Sequence, residues 1–588
     1  MISSKRIGIL TAVLIVLVLG VTGAMMLYGG NQETKQTGTV VYADGFELEW
    51  TEEDYDTSAQ NAAFITLTGE SAETDSANVL VNGSEISILG GGTYVVSGTL
   101  ENGTITVNAE DNSMVHLILN NASVTSSNFA ALYVTKAGKM IVTLAENSEN
   151  TLTDSAMYDE AKQNDGKPFA ALYSHDDLTI NGNGTLTVRG NYQDGIKCND
   201  TMKIIASSIQ ITAVDEGINA NDCLAVLDAE LEIHSGGDSL HSDGSLVLAE
   251  GEAVLSSGDD AVHAEQIAVL EPKTLQIAEC LEGIEGAMVI IKDGDIRIVS
   301  KDDAINAIGE SASGGMEMMM GMQNREISEE NVYLMIDGGS LYLETSGDGI
   351  DSNGAAVQNG GTIEVYGPEN SGNASLDAAF GLQINGGSLI AAGSSGMAEL
   401  PHSSSSQNVL IFYLEEPCPS GSYIELADNN GKTILTGTSP KQFNWVCVSD
   451  AAIQQGTTYA LQINGEPAAS LECTETVSSS GTRNGFGGML NMGAMPRRER
   501  GLNPEETADI PQRADAMQFA AGRTQETFNG EPPSGTMPEN MQTNRMPKNM
   551  PVEPTTENSA EQYGLLVISL LLLAAGFVFV CFYKRKNY

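Results

Sequence analysis

Asp194-Gly-Ile-Lys, Glu216-Gly-Ile-Asn, Asp238-Ser-Leu-His, Asp260-Ala-Val-His, Glu282-Gly-Ile-Glu and Asp303-Ala-Ile-Asn are versions of one phrase: acid, small residue, aliphatic, polar. The aliphatic positions Ile196, Ile218, Leu240, Val262 and Ile284 recur at steps of 22, and Ile305 follows after 21. After an insertion the phrase returns as Asp348-Gly-Ile-Asp. From Ile196, apolar residues stand at +6 and +8 (Met202, Ile204) and at +13 and +15 (Ile209, Ile211). The same offsets from Ile218 reach Leu224, Val226, Leu231 and Ile233, and from Leu240 they reach Leu246, Leu248, Ala253 and Leu255. Each pair alternates with polar residues, the signature of a half-buried strand rather than of a helix. Three short strands per unit, joined by Asn, Asp and Gly turns, describe one coil of a parallel β-helix. No single coil can bury its own apolar face, so the coils must stack.

Weaker units extend the pattern from Ala131-Leu-Tyr-Val and Ala171-Leu-Tyr-Ser on one side to Leu341-Tyr-Leu, Ile363-Glu-Val, Leu382-Gln-Ile and Leu389-Ile-Ala on the other. The β-helix is therefore expected over residues 61–398, preceded by a linker at 31–60. Residues 399–475 read as a small antiparallel end domain, with strands near 409–414, 423–426, 443–448 and 459–463. Its expected role is to cover an open sheet edge, which otherwise invites aggregation. Residues 476–562 are rich in Pro, Gly, Asn, Thr and Met without hydrophobic periodicity, and read as a disordered stalk. The methionines there, and those around Met316–Met322, read as filler rather than as soft metal ligands.

The ends point to a membrane. Ile7–Tyr28 is apolar behind Lys5 and Arg6, as in a signal anchor or a signal peptide, covering residues 1–30. A second apolar run, Gly564–Tyr583, is closed by Lys584, Arg585 and Lys586, giving an expected span at 563–583 with a cytoplasmic tail at 584–588. The expected class is all-β: a single-stranded parallel β-helix of about 22 residues per coil, an antiparallel end domain, and flanking membrane spans. The domain between the spans is expected outside the cell, tethered to its membrane.

Composition narrows the function. The 588 residues carry 78 Asp plus Glu against 28 Lys plus Arg, a net charge of −50. Such a chain repels phosphate backbones, which argues against nucleic acid as a partner and favours cations. Aromatic residues are only 5% of the chain, too few for the broad stacking platform that grips neutral cellulose. Seven cysteines are too few for a disulfide scaffold. Cys198 and Cys223 fall at non-equivalent coil positions and are expected free, whereas Cys418, Cys447 and Cys473 leave room for one disulfide of undetermined pairing.

Stacked coils lie about 4.8 Å apart. Asp194, Glu216, Asp238, Asp260, Glu282, Asp303 and Asp348 then form a column, widened by Asp215, Asp259 and Asp302 one position earlier. Two bare carboxylates at that spacing repel by about 1–3.5 kcal/mol, for effective dielectrics of 80 and 20. Hard oxygen donors at this density suit Ca²⁺. The alternative is that these acids face water and only end strands at turns. A neighbouring polar set, Lys197, Asn199, Asp200, Asn219, Asn221, Asp222 and Asp243, is the candidate ligand-binding surface. His241 and His263, one coil apart, read as outward polar residues rather than as a transition-metal pair. Lys197, Lys203 and Arg189 are the bases a lyase would have to use.

The phrases Asp176-Asp-Leu-Thr-Ile-Asn-Gly-Asn-Gly-Thr-Leu-Thr-Val, Gln193-Asp-Gly-Ile-Lys, Gly347-Asp-Gly-Ile-Asp-Ser-Asn-Gly and Ile390-Ala-Ala-Gly-Ser-Ser-Gly-Met-Ala resemble the calcium-binding parallel β-helix carbohydrate-binding proteins of clostridial cell surfaces. The Gly/Met-rich insertion at about 311–325 resembles a loop of that family, and the resemblance spans roughly residues 60–475. It implies a right-handed, pectate-lyase-like β-helix, bound Ca²⁺, and capture of polygalacturonate-like chains without catalysis. The sequence departs from the family at Leu281-Glu282, where the usual acid pair is a single acid. A protein of charge −50 binds a polyuronate most readily through a bridging divalent ion. The expectation is thus a monomeric, Ca²⁺-dependent binder of acidic polysaccharide. The rivals are a pectate-type lyase and a calcium-stiffened adhesin or spacer that binds no sugar.

Overall fold

The computed structural model describes residues 37–42, 45–110, 112–163, 168–309 and 332–482. Both apolar end runs, the Met-rich insertion and the stalk from 483 onward lie outside these residues. Among the described residues no helix is long and apolar enough to cross a membrane.

The repeat folds as a β-solenoid of about 12 turns, with three parallel ladders of strands. The first ladder carries the repeated phrase: Ile196, Ile218, Leu240, Val262, Ile284, Ile305, Ile350 and Leu376 are register partners in succession. The second aligns Met202, Leu224, Leu246, Ala268, Val289, Leu334, Ala356 and Leu382. The third aligns Ile209, Leu231, Ala253, Leu275, Ile296, Leu341, Ile363 and Leu389. All of these side chains are buried in one continuous core. The register runs unbroken from Ile305 to Ile350 across the insertion.

The stretch expected to be a linker is structured. Gly38–Val41 and Glu47–Trp50 form an antiparallel hairpin, followed by a single 3-10 turn at Glu53–Tyr55. Leu48 and Trp50 pack on Ile205, Ala225, Val247, Val269 and Ile290, the outward-facing residues of the second ladder. That ladder is apolar on both faces, so its outer side needs a cover, and the hairpin supplies it. The turn is pinned by Asp54, which is fully buried. Asp54 Oδ1 accepts from Lys139 Nζ at 2.6 Å and Thr179 Oγ1 at 2.7 Å. Its Oδ2 accepts from the Thr51 amide at 2.8 Å and Lys203 Nζ at 2.9 Å. Burial alone would raise its pKa, but Lys139, the Thr51 amide and Lys203 outweigh burial and hold it at about 2.

At the other end, the last solenoid strand, Ser388–Gly393, pairs antiparallel with Phe443–Ser449. That strand pairs with Val409–Cys418, which in turn receives Val477–Ser480 in parallel. The beginning of the expected stalk is therefore a strand. A separate four-stranded antiparallel sheet is built from Ser422–Asp428, Thr433–Ser439, Thr458–Ile463 and Glu466–Glu472. Cys418, Cys447 and Cys473 are all free, so the candidate disulfide does not form. Each sits in a different strand or turn, and Cys447 is sealed in the solenoid core.

Replacing Asp54 with Ala leaves two lysines without their carboxylate and should weaken hairpin docking by on the order of 3 kcal/mol. Hydrogen exchange of the 47–55 amides should accelerate accordingly while coils 194–307 stay protected. Because the folded pKa of Asp54 lies below its ordinary value, its contribution is complete above about pH 4. In the wild type, docking should loosen as pH falls from there through about 2.

Candidate functional site

The repeated phrase puts its acid at the entry of each first-ladder strand and its polar residue one position beyond the buried aliphatic. Backbone bonds lock the acids in line. The amides of Gly195, Gly217, Ser239, Ala261, Gly283 and Ala304 donate to the carbonyls of Glu216, Asp238, Asp260, Glu282, Asp303 and Asp348, at 2.8–3.0 Å. The polar residues also stack, in the order Tyr173, Lys197, Asn219, His241, His263, Glu285, Asn306, Asp351 and Asp377. The two columns touch, because residues three apart reach each other across the strand entry. His241 Nδ1 lies 2.8 Å from Asp238 Oδ2, and His263 Nδ1 lies 2.9 Å from Asp260 Oδ2. Asn219 donates to Glu216 in the same way, and between neighbouring coils Asn306 Nδ2 donates to Glu282 Oε2 at 2.8 Å.

Several column acids are half spent on the backbone. Asp238 Oδ1 accepts the Asp260 amide at 2.9 Å, Asp303 Oδ1 accepts the Asp348 amide at 2.5 Å, and Asp348 Oδ1 accepts the Ala374 amide. The turn-ending role that the sequence offered as an alternative is thus real for one oxygen of each. The second oxygen is left for other chemistry. Asp194 Oδ2 is buried without any hydrogen-bond partner.

Three groupings of donors result among the described residues. Asp303, Asp348 and Asp351 each bring one carboxylate oxygen within 4.8 Å of the others. Asp238, His241 and His263 form a second group, and Asp260, His263 and Glu285 a third. Among the expected metal ligands, Asp303, Asp348, Asp238 and Asp260 therefore enter a cluster. Asp194 and Glu216 meet at the other end of the column without a third donor grouped with them. Asp215, Asp259 and Asp302 flank the column; Asp215 helps to raise the pKa of Asp194, and Asp302 that of Asp303.

The charge on this strip is strongly perturbed. Burial first, and then Asp348, Asp302 and Glu282 against a lowering bond from the Asp348 amide, push Asp303 up to about 8. Burial, Asp348 and Asp377 push Asp351 up to about 7. Burial, offset in part by the Ala374 amide and reinforced by Asp377, leaves Asp348 at about 6. Asp194 and Glu285 rise for the same reason, burial beside other carboxylates.

Of the expected ligand-binding set, Lys197 and Asn219 lie in the stacked polar column, bonded to each other. The others form a parallel line at the next corner. Asn199 Oδ1 accepts from Tyr173 OH at 2.8 Å, Asp243 Oδ1 meets His241 Nε2 at 3.0 Å, and Asn221 Oδ1 is buried without a partner. Asp200 is raised by burial and by Asp177 and Asp222 beside it. The three candidate bases stand apart: Lys197 on the first ladder, Lys203 spent on Asp54 at the second, and Arg189 exposed on the third. Glu285, Asn306 and Asp351 were not singled out from sequence, although each holds the polar position of the repeated phrase. Toward the N-terminal coils the strip runs into Phe129, Tyr133, Tyr158, Phe169, Tyr173 and Tyr192, which pack against one another rather than present a flat open platform.

A family profile described as carbohydrate-binding domain-containing protein matches residues 82–324, a stretch that includes Asp194 through Asp303 and stops before Asp348. The chain is similar to carbohydrate-binding domain proteins. One of that description from Acetivibrio thermocellus is 34% identical over 152 residues, 26% of this chain and 53% of that protein. The chain thus spans about half the length of the curated relative it matches. A solved polysaccharide lyase-like protein from C. thermocellum, a gadolinium derivative, aligns at 23% identity. That alignment covers 55% of this chain and 96% of the other, with a TM-score of 0.28.

Acids with raised folded-state pKa values favour the fold only while protonated, so the strip penalises folding as they ionise. With chelator present, the melting temperature should fall as pH rises from about 4, where the unfolded carboxyls titrate, through about 8 and 9, where Asp303 and Glu285 are half ionised in the folded state. Asp351→Asn should flatten that slope in a thermal-melt series.

Proposed function

We propose that this chain is a Ca²⁺-dependent carbohydrate-binding protein that captures an acidic polysaccharide along the first-ladder strip without cleaving it. The observation that carries the reading is the Asp303, Asp348 and Asp351 trio. Its donors are all carboxylate oxygens, the class that Ca²⁺ prefers, and their mutual repulsion is the kind a divalent ion relieves. These residues would hold the ion, which supplies a positive centre for a sugar carboxylate on a protein of charge −50. Similarity to carbohydrate-binding domain proteins supports the sugar. A uronate polymer is the matching substrate class, because a neutral glycan gains nothing from the cation. Tethering at the cell surface through Ile7–Tyr28 and Gly564–Tyr583 completes the reading.

The non-catalytic part rests on distance. A lyase needs a base beside the carbon next to the ion-bound carboxylate. Lys197, whose pKa is lowered by burial, is the best base of the three. It stands five coils from Asp303, about 24 Å along the stack, too far to serve a sugar held there. The nearer lysines are engaged, Lys301 by Glu279 at 2.6 Å and Lys441 by the Thr345 carbonyl and Ser346 Oγ.

Calorimetric titration of the protein with polygalacturonate should show binding with Ca²⁺ and none with chelator, while no unsaturated uronide absorbance develops. Asp303→Asn with Asp348→Asn should weaken Ca²⁺ and sugar together by at least about tenfold. Product formation would make the protein a lyase. Ca²⁺ binding without sugar binding would leave a calcium-stiffened spacer.

A further inference from the structure

The middle of the strip differs in chemistry from the oxygen-only trio. His241 and His263 stack face to face, with ring centroids 4.8 Å apart and planes within 4°. Both side chains are about 15% exposed, so two basic rings are enclosed one coil apart. Asp238 Oδ2 lies 2.8 Å from His241 Nδ1. Asp260 Oδ2 and Glu285 Oε1 lie 2.9 and 3.4 Å from His263 Nδ1. The first two are hydrogen bonds, and widening them to the roughly 3.3 Å that bonds of about 2.0–2.2 Å at tetrahedral angles set between ligand atoms lets the same donors share one ion.

We infer that His241 and His263, with Asp238, Asp260 and Glu285, form a binding site for one divalent d-block ion of the Zn²⁺ class, distinct from the Asp303, Asp348 and Asp351 group.

Four features support this. His263 belongs to both mixed donor groups, so one ion can draw on either side of it. His263 Nε2 is buried with no hydrogen-bond partner, its nearest carboxylate being Glu265 Oε1 at 3.6 Å. His241 Nε2 is held by Asp243 Oδ1 at 3.0 Å, the outer carboxylate contact that orients a metal-binding imidazole. An imidazole binds an ion at its ring edge and in the ring plane, and in both residues that edge is the one the carboxylates face. Imidazole selects Zn²⁺-class ions over Ca²⁺, whose donors are oxygens.

The test uses the full chain, stripped with chelator and then kept in saturating Ca²⁺. Zn²⁺ is titrated calorimetrically, and Co²⁺ is followed by its visible absorption. One Zn²⁺ per chain should bind without competition from Ca²⁺. His263→Ala should lose at least about 100-fold in Zn²⁺ affinity, together with the Co²⁺ signal. Asp348→Asn should weaken Ca²⁺ and leave Zn²⁺ unchanged. Retained Ca²⁺ binding shows that His263→Ala is folded; if it is lost, His241→Gln takes its place. The inference is overturned if Ca²⁺ displaces Zn²⁺, if the folded histidine variant binds Zn²⁺ like the wild type, or if the wild type takes up no Zn²⁺ at micromolar concentration.

Discussion

Register is the constraint on which this protein depends. The inward aliphatic residues of the first ladder, from Ile196 to Leu376, lie on one another coil after coil. A slip of one residue would turn every one of them outward and bring the stacked polar residues from Lys197 to Asp377 into the core. The stack therefore tolerates no slip, and each outward residue must meet its own equivalent in the next coil. A repeat that carries an acid in its phrase necessarily builds a line of acids.

The protein handles that line in several ways. One oxygen of Asp238, Asp303 and Asp348 is satisfied by the amide of the following coil, so part of the charge serves the backbone. Imidazoles face the carboxylates at Asp238 and Asp260, and Lys197 stands near Asp194. The carboxyl pKa values nonetheless climb at Asp303, Asp348 and Asp351, and also at Asp194 beside Lys197 and at Asp260 beside His263. Asp54 shows the opposite case on the neighbouring face. It is more fully buried, yet two lysines drive its pKa down and make it a fastener for the hairpin. The same side chain is a structural pin in one setting and a candidate cation ligand in the other.

Much of this was legible beforehand. The 22-residue step and the offsets of 6, 8, 13 and 15 placed the apolar residues in the ladders where they are found. The column of acids followed from the same arithmetic. Glu285 and Asp351 are not legible as ligands in the sequence, because the polar position of the phrase varies among Lys, Asn, His, Glu and Asp and carries no constant chemistry. The hairpin at 38–50 escaped because two four-residue strands carry no repeat. Its cue lay in the second ladder, where Ile205, Ala225, Val247 and Val269 stand at positions that would otherwise face water.

By itself the sequence determined the coil, its register and the line of acids, because a period-2 pattern repeated at a constant step admits one way of stacking. Only the tertiary structure decided which carboxylates share a space, which are tied to a backbone amide, and which stand beside an imidazole. It also decided that the outer face of the second ladder is closed by a segment some 150 residues away in the chain, with Lys203 reaching back to Asp54. Those outcomes turn on side-chain reach of a few ångströms between coils, and a one-dimensional pattern carries no such distances.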